Sequence, residues 1–197
     1  MTRLQPETLV AASTERKQAA RGIVPARRDD EHVCRPRLVR HLDMVSRGLQ
    51  KCFADLVAGQ LPWPLYLHGD IGTGKTRAAL ALCDQLEFAR FWTLEEVIQA
   101  KLGRSSPWET VWGLPGGPRL VVLDEIGTHV KVSDLEYDAL KMFADWREDT
   151  PVIYISNHPS AKMTELYDRR VASRLSCGTV HFLEGPDRRL RPSEEKT

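Results

Sequence analysis

The stretch Gly69-Asp70-Ile71-Gly72-Thr73-Gly74-Lys75-Thr76 fits G-x-x-x-x-G-K-[ST], the phosphate-binding P-loop. The motif needs a buried strand leading in and a helix leading out, so it constrains architecture as well as chemistry. Glycines let the backbone turn tightly, and consecutive N–H groups then point inward at phosphate oxygens. The helix begins at the lysine, and its N-terminal dipole favours an anion. On this pattern Gly69, Asp70, Ile71, Gly72, Thr73 and Gly74 wrap the phosphates of a nucleotide. Lys75 reaches the β- and γ-phosphates, and the Thr76 hydroxyl ligates Mg2+. Both flanks are present, which a chance glycine-rich turn would lack. Leu65-Tyr66-Leu67-His68 reads as the strand, and Arg77-Ala78-Ala79-Leu80-Ala81-Leu82 as the helix.

The pattern then alternates. Residues 88–92 read as a second strand and 94–102 as a helix. Residues 103–118 hold three prolines and four glycines and read as a long irregular connection. Leu120-Val121-Val122-Leu123 is a third, strongly apolar strand. Ser133 can cap a helix over 134–148, with Glu136 at capping-box spacing. Val152-Ile153-Tyr154-Ile155 is a fourth strand, residues 160–176 are helical with a break near Asp168, and 179–182 are a fifth strand. Strands that alternate with helices and are apolar on both faces predict a five-stranded parallel sheet covered on both sides, a three-layer α/β fold.

Upstream, residues 6–20 have helical composition and 21–36 read as a charged linker. Residues 37–58 carry Leu38, Leu42, Val45, Leu49, Phe53 and Leu56 at three- and four-residue steps, a helix that Gly59, Pro62 and Pro64 end. Residues 1–47 hold ten Lys and Arg against six Asp and Glu, within a chain whose net charge is only +1. That basic front end suits nucleic acid or an acidic partner, and equally a solvated arm.

Four further features narrow the reaction. Leu123-Asp124-Glu125 ends the apolar third strand in two acids, the Walker B arrangement, at the edge where open α/β sheets bind ligands. Asp124 would hold Mg2+, directly or through water. Glu125 would orient and activate an attacking water. Asn157 follows the fourth strand, where a neutral amide can bond a γ-phosphate or the lytic water; a turn-forming Asn before His158-Pro159 is the plainer use. Arg170 and Arg174 share a helix face, either as solvated arginines or as a cation offered to a neighbour's phosphates. Gly185-Pro186-Asp187-Arg188-Arg189 offers another phosphate-binding arginine.

In that order, residues 66–76, 121–127, 151–157, 167–175 and 182–189 resemble the DnaC/IstB-like branch of the AAA+ ATPases, related to the DnaA initiator. These are bacterial and phage helicase loaders and transposition helper ATPases. The resemblance covers about two thirds of the chain, roughly residues 61–189. It implies a P-loop NTPase of AAA+ type that binds and hydrolyses ATP with Mg2+, acts in DNA replication as a helicase loader, and oligomerises on single-stranded DNA or on a replicative helicase. It places Asn157 at the sensor-1 position and Arg174, in Ser-Arg-Leu, at the arginine-finger position that acts on the adjacent subunit. Arg189 best matches the sensor-2 arginine, with Arg188 the alternative. Residues 1–60 are then a basic helical arm and linker, 61–190 the ATPase core and 191–197 a tail. Only fifteen residues follow Phe182, too few for a C-terminal helical lid domain, and lidless architecture is what the loader branch shows.

Three other functions compete: an IstB-like transposition helper, a nucleotide-dependent binding switch with little turnover, and a small-molecule P-loop kinase. A kinase lid needs phosphate-gripping arginines, and between Lys101 and Arg119 only Arg104 is basic. Cys34, Cys52, Cys83 and Cys177 are scattered without C-x-x-C, which fits a reduced intracellular chain and spells out no zinc site. No apolar run nears a membrane span, and the N-terminus has no apolar signal core, so a cytoplasmic location is expected.

Overall fold

The computed structural model describes residues 42, 45–84, 89–104, 120–129, 131–148 and 150–188. The expected helix over 6–20, the linker over 21–36, most of the connection over 103–118, Arg189 and the tail lie outside these residues. The expected absence of a lid also concerns residues beyond Arg188.

The first described helix, α1 (Arg47–Val57), starts where Ser46 accepts the Leu49 N–H. It buries Leu49, Cys52, Phe53 and Leu56 on one face. Gly59, at φ 71°, ends it by bonding back to the Leu56 carbonyl. There follow β1 (Leu65–His68), α2 (Lys75–Cys83), β2 (Ala89–Thr93), α3 (Leu94–Lys101), β3 (Leu120–Ile126), α4 (Asp134–Trp146), β4 (Val152–Ser156), α5 (Ser160–Leu166), α6 (Arg169–Ser176) and β5 (Thr179–Phe182). The helix expected over 160–176 is indeed divided. Asp168 ends the first piece and caps the second, accepting the Val171 N–H at 2.7 Å.

All five strands are parallel, in the order β2-β3-β4-β1-β5. Successive side chains of a strand point to opposite faces, and two apolar layers result. Leu65, Leu67, Val122, Ile153 and Ile155 face α1 and α2. Tyr66, Val121, Leu123, Val152 and Tyr154 face α3 to α6, which cover them with Val97, Leu140, Phe143, Met163 and Leu175. The helix that the sequence assigns to the arm, α1, thus packs in one cluster with the sheet. Because β1 lies between β4 and β5, the loops after these three strands emerge side by side at the carboxyl edge. That is where ligands of such sheets bind.

The capping-box expectation at α4 needs correction. Ser133 does accept the Glu136 N–H at 3.2 Å. The Glu136 carboxylate, however, meets Tyr167 and His129 rather than returning to the helix start. The reciprocal box is found at α3, between Thr93 and Glu96.

Candidate nucleotide-binding site

The P-loop leaves β1 at Gly69 and enters α2 at Lys75. Gly72 and Gly74 stand at φ 81° and 99°, in the left-handed region that glycine adopts without cost. Thr73 closes the turn by donating its hydroxyl to the Asp70 carbonyl at 2.9 Å. Lys75 is buried inside the loop, its Nζ donating to the carbonyls of Gly69 and Asp70, each at 2.7 Å. Asp70 and Ile71 project outward at the rim. One residue on, the Thr76 hydroxyl donates to Asp124 Oδ2 at 2.5 Å. The sequence expectation that Thr76 and Asp124 share a cation requires this approach of P-loop helix to β3.

Asp124 is buried, and its other oxygen accepts the Glu125 N–H at 2.7 Å. Glu125 itself is exposed and sits at φ 64°, where the pairing of β3 with β4 slips between Leu123 and Ile126. A bulge of this kind re-aims a side chain. Here it turns the Glu125 carboxylate away from the sheet while Asp124 stays in it. Among the described residues Glu125 is the one non-glycine with positive φ. Such conformations persist only where the surroundings hold them.

The turns after β3 and β4 are tied together. The Ser156 hydroxyl donates to the Ile126 carbonyl at 2.8 Å and accepts the His158 N–H at 3.1 Å. The Tyr66 hydroxyl supports the same turn from below, donating to the His158 carbonyl at 2.8 Å. Burial pushes the Tyr66 phenol up to about 12, so it stays a proton donor at neutral pH. Asn157 is held between these anchors, half-buried at the carboxyl edge.

Beyond β5 the chain runs back over the P-loop. Leu183 N–H bonds the His68 carbonyl at 2.7 Å, and Arg188 N–H bonds the Gly72 carbonyl at 3.0 Å. The Asp187 carboxylate lies where a Cβ on Gly72 would be, and the Arg188 side chain packs against Gly74. Of the two arginines weighed for sensor 2, the structure describes Arg188 and brings it to the phosphate loop; Arg189 lies outside the described residues. A shallow depression, with room for about one water molecule, lies between Val45, Ser46, Gly74, Arg77, Leu183 and Arg188. Val45 and Ser46 come from before β1 and Leu183 and Arg188 from after β5, segments that the sequence alone does not bring together.

Arg174 is elsewhere. It lies near the end of α6, which runs to the start of β5, and it pairs with Asp145 near the end of α4. Both lie toward the amino edge of the sheet, opposite the P-loop. Within one chain the structure therefore gathers Lys75, Thr76, Asp124, Glu125, Asn157 and Arg188, and leaves Arg174 apart.

No protein-family model and no curated protein matches the chain. Solved structures do match. DnaA from Aquifex aeolicus, bound to AMPPCP, superimposes with a TM-score of 0.61 at 17% identity, over 76% of this chain and 50% of that one. A replication initiator DnaA bound to AMPPCP and single-stranded DNA gives 0.61 at 17%, over 77% and 51%. The crystal structure of DnaI gives 0.60 at 19%, over 77% of this chain and 91% of that one. The chain thus spans about half the length of these DnaA structures and nearly all of the DnaI structure. The likeness shows that the chain shares the three-layer α/β fold of DnaA and DnaI, with the P-loop between β1 and α2. Among the described residues no helix is long and apolar enough to cross a membrane.

Proposed function

We propose that this chain is a DnaC/IstB-like AAA+ ATPase that binds and hydrolyses ATP and loads a replicative helicase, assembling with copies of itself on single-stranded DNA or on the helicase. The observation that carries the reading is the convergence of Lys75, Thr76, Asp124 and Glu125 at the carboxyl edge of β1 and β3. The solved DnaA complexes with AMPPCP and single-stranded DNA support the nucleotide and DNA parts. The near-complete coverage of DnaI supports the compact build.

Thr76 and Asp124 fit a magnesium ion. They are hard oxygen donors already in contact, one of them a carboxylate. When bound, the ion would supply positive charge to offset the charge of the nucleotide's phosphate oxygens. Lys75 exchanges its carbonyl partners in the loop for those oxygens. Glu125 accepts a proton from the attacking water, and Asn157 orients the water or the γ-phosphate without opposing its charge. Arg188 adds a cation from the same chain. Arg174, which lies away from its own P-loop, serves the neighbouring subunit.

Light scattering with ATP-γ-S, with and without single-stranded DNA, tests the assembly. Particle growth with both ligands is expected, and binding should weaken steeply with salt because phosphates carry it. An unchanged monomer that binds nucleotide would point instead to a nucleotide-dependent switch. A gene for a transposase beside this one would favour the transposition helper.

A further inference from the structure

The turn that follows Glu125 is held by a part-buried side-chain network that lies outside the nucleotide contacts. Tyr167, between α5 and α6, accepts the Gly127 N–H at 3.2 Å and donates its own proton to Glu136 Oε1 at 2.6 Å. The other Glu136 oxygen meets His129 Nδ1 at 3.1 Å. Glu136 is only 3% exposed, in the first turn of α4. Its carboxylate thus grips both ends of the segment Gly127-Thr128-His129, one directly and one through Tyr167. The turn is also pressed onto α5, where a Cβ on Gly127 would approach Met163 Cε to 2.8 Å.

Glu125 stands two residues before this clamp, in a left-handed conformation that an L-residue holds only under constraint. Ser156 fixes Ile126 from one side. Without a second anchor beyond Ile126, the bulge could relax and swing the carboxylate. A buried carboxylate that could have capped its own helix instead faces this turn, through a phenol whose one proton and one lone pair are both committed. From this geometry we infer that Tyr167, backed by Glu136, is a positioning residue for Glu125. It touches neither nucleotide nor water and acts by fixing the backbone from which the Glu125 side chain departs. The inference rests on the proposed role of Glu125 as the water-activating base.

The test is steady-state ATP hydrolysis by the full chain carrying Tyr167→Phe, which keeps ring and volume and removes both hydrogen bonds. The expected result is a kcat lowered about tenfold or more, as for other supporting-shell losses, with KM and the affinity for a fluorescent ATP analogue unchanged. In a Glu125→Gln background the same substitution should change the residual rate little, because no base remains to be positioned. A kcat equal to wild type, a change in KM alone, or an undiminished effect in the Glu125→Gln background would overturn the inference. If Tyr167→Phe does not fold, Glu136→Leu replaces it, which removes the acceptor of the Tyr167 proton: a lowered kcat at constant KM supports the assignment, and a wild-type rate overturns it. A wild-type chain that binds nucleotide yet does not hydrolyse it would sink the proposed function and the inference together. Active wild type beside an unaffected variant would sink the inference alone.

Discussion

Thr76 and Asp124 are 48 positions apart in the chain and meet at 2.5 Å, hydroxyl to carboxylate, joining the first turn of α2 to the end of β3. Two segments that each carry half of a cation site are thereby fixed to one another by protein atoms. Asp124→Asn keeps an acceptor for Thr76 and removes the charge. The fold and magnesium-free nucleotide binding should survive, while the gain in affinity on adding Mg2+ should fall about tenfold or more. Titration calorimetry with and without the cation reads this, and an undiminished gain would remove Asp124 from the site.

Binding and turnover should separate at Lys75 and Glu125. Lys75→Ala deletes the one cation inside the loop and should abolish most ATP binding. Glu125→Gln should bind normally and lose about 10²–10⁴ in hydrolysis, since an amide cannot take up the water's proton. Analogue binding measured beside phosphate release checks both, and a wild-type rate for Glu125→Gln would refute its assignment.

Arg174→Ala should behave as two effects of very different size. Its pairing with Asp145 is partly exposed, so stability should drop by no more than about 1 kcal/mol in a urea titration. Hydrolysis should collapse by roughly 10³–10⁵ if the guanidinium serves a neighbour. Mixing Arg174→Ala with Lys75→Ala should restore part of the activity, because some interfaces then join an intact P-loop to an intact arginine. No recovery at any ratio, where wild-type subunits associate, would leave Arg174 a structural residue.

Stability should decline on mild acidification. Burial holds His68 below histidine's ordinary 6.5, with His181 and Lys75 adding to the effect, and burial lowers His181 too. The folded chain therefore resists protons that the unfolded chain accepts. Stability is complete above 6.5 and is lost as pH falls from there through the lowered folded values. Urea midpoints from about pH 7.5 to about pH 5 should show the decline, and replacing both histidines by glutamine should flatten it. A slope unaltered by the double substitution would assign the decline to other groups.

Much of this fold was legible because parallel strands bury both faces and so read as continuous apolar runs; β1, β3 and β4 fall within a few residues of their expected limits. The P-loop and the two acids after β3 were legible because their chemistry is local in sequence. Spacing alone failed at Glu136. Ser133 and Glu136 have the offset of a capping box, and so do Thr93 and Glu96, yet only the second pair closes. The difference is Tyr167, which tertiary packing brings to the first carboxylate. The same limit hid the return of Asp187 and Arg188 over the P-loop. That contact depends on β5 pairing beside β1, a partnership no local pattern encodes.

The pairing of Arg174 with Asp145 bears on how activity should depend on concentration. On the proposed role of Arg174, a solitary subunit satisfies that guanidinium with its own Asp145 carboxylate and does not offer it to cellular polyphosphates. Release comes only when a neighbour's triphosphate arrives with more negative charge than the carboxylate carries. Dilution is then an off state in its own right. The rate per subunit should climb with protein concentration until assembly is complete, and spent diphosphate, with less charge to hold the arginine, should let the assembly come apart.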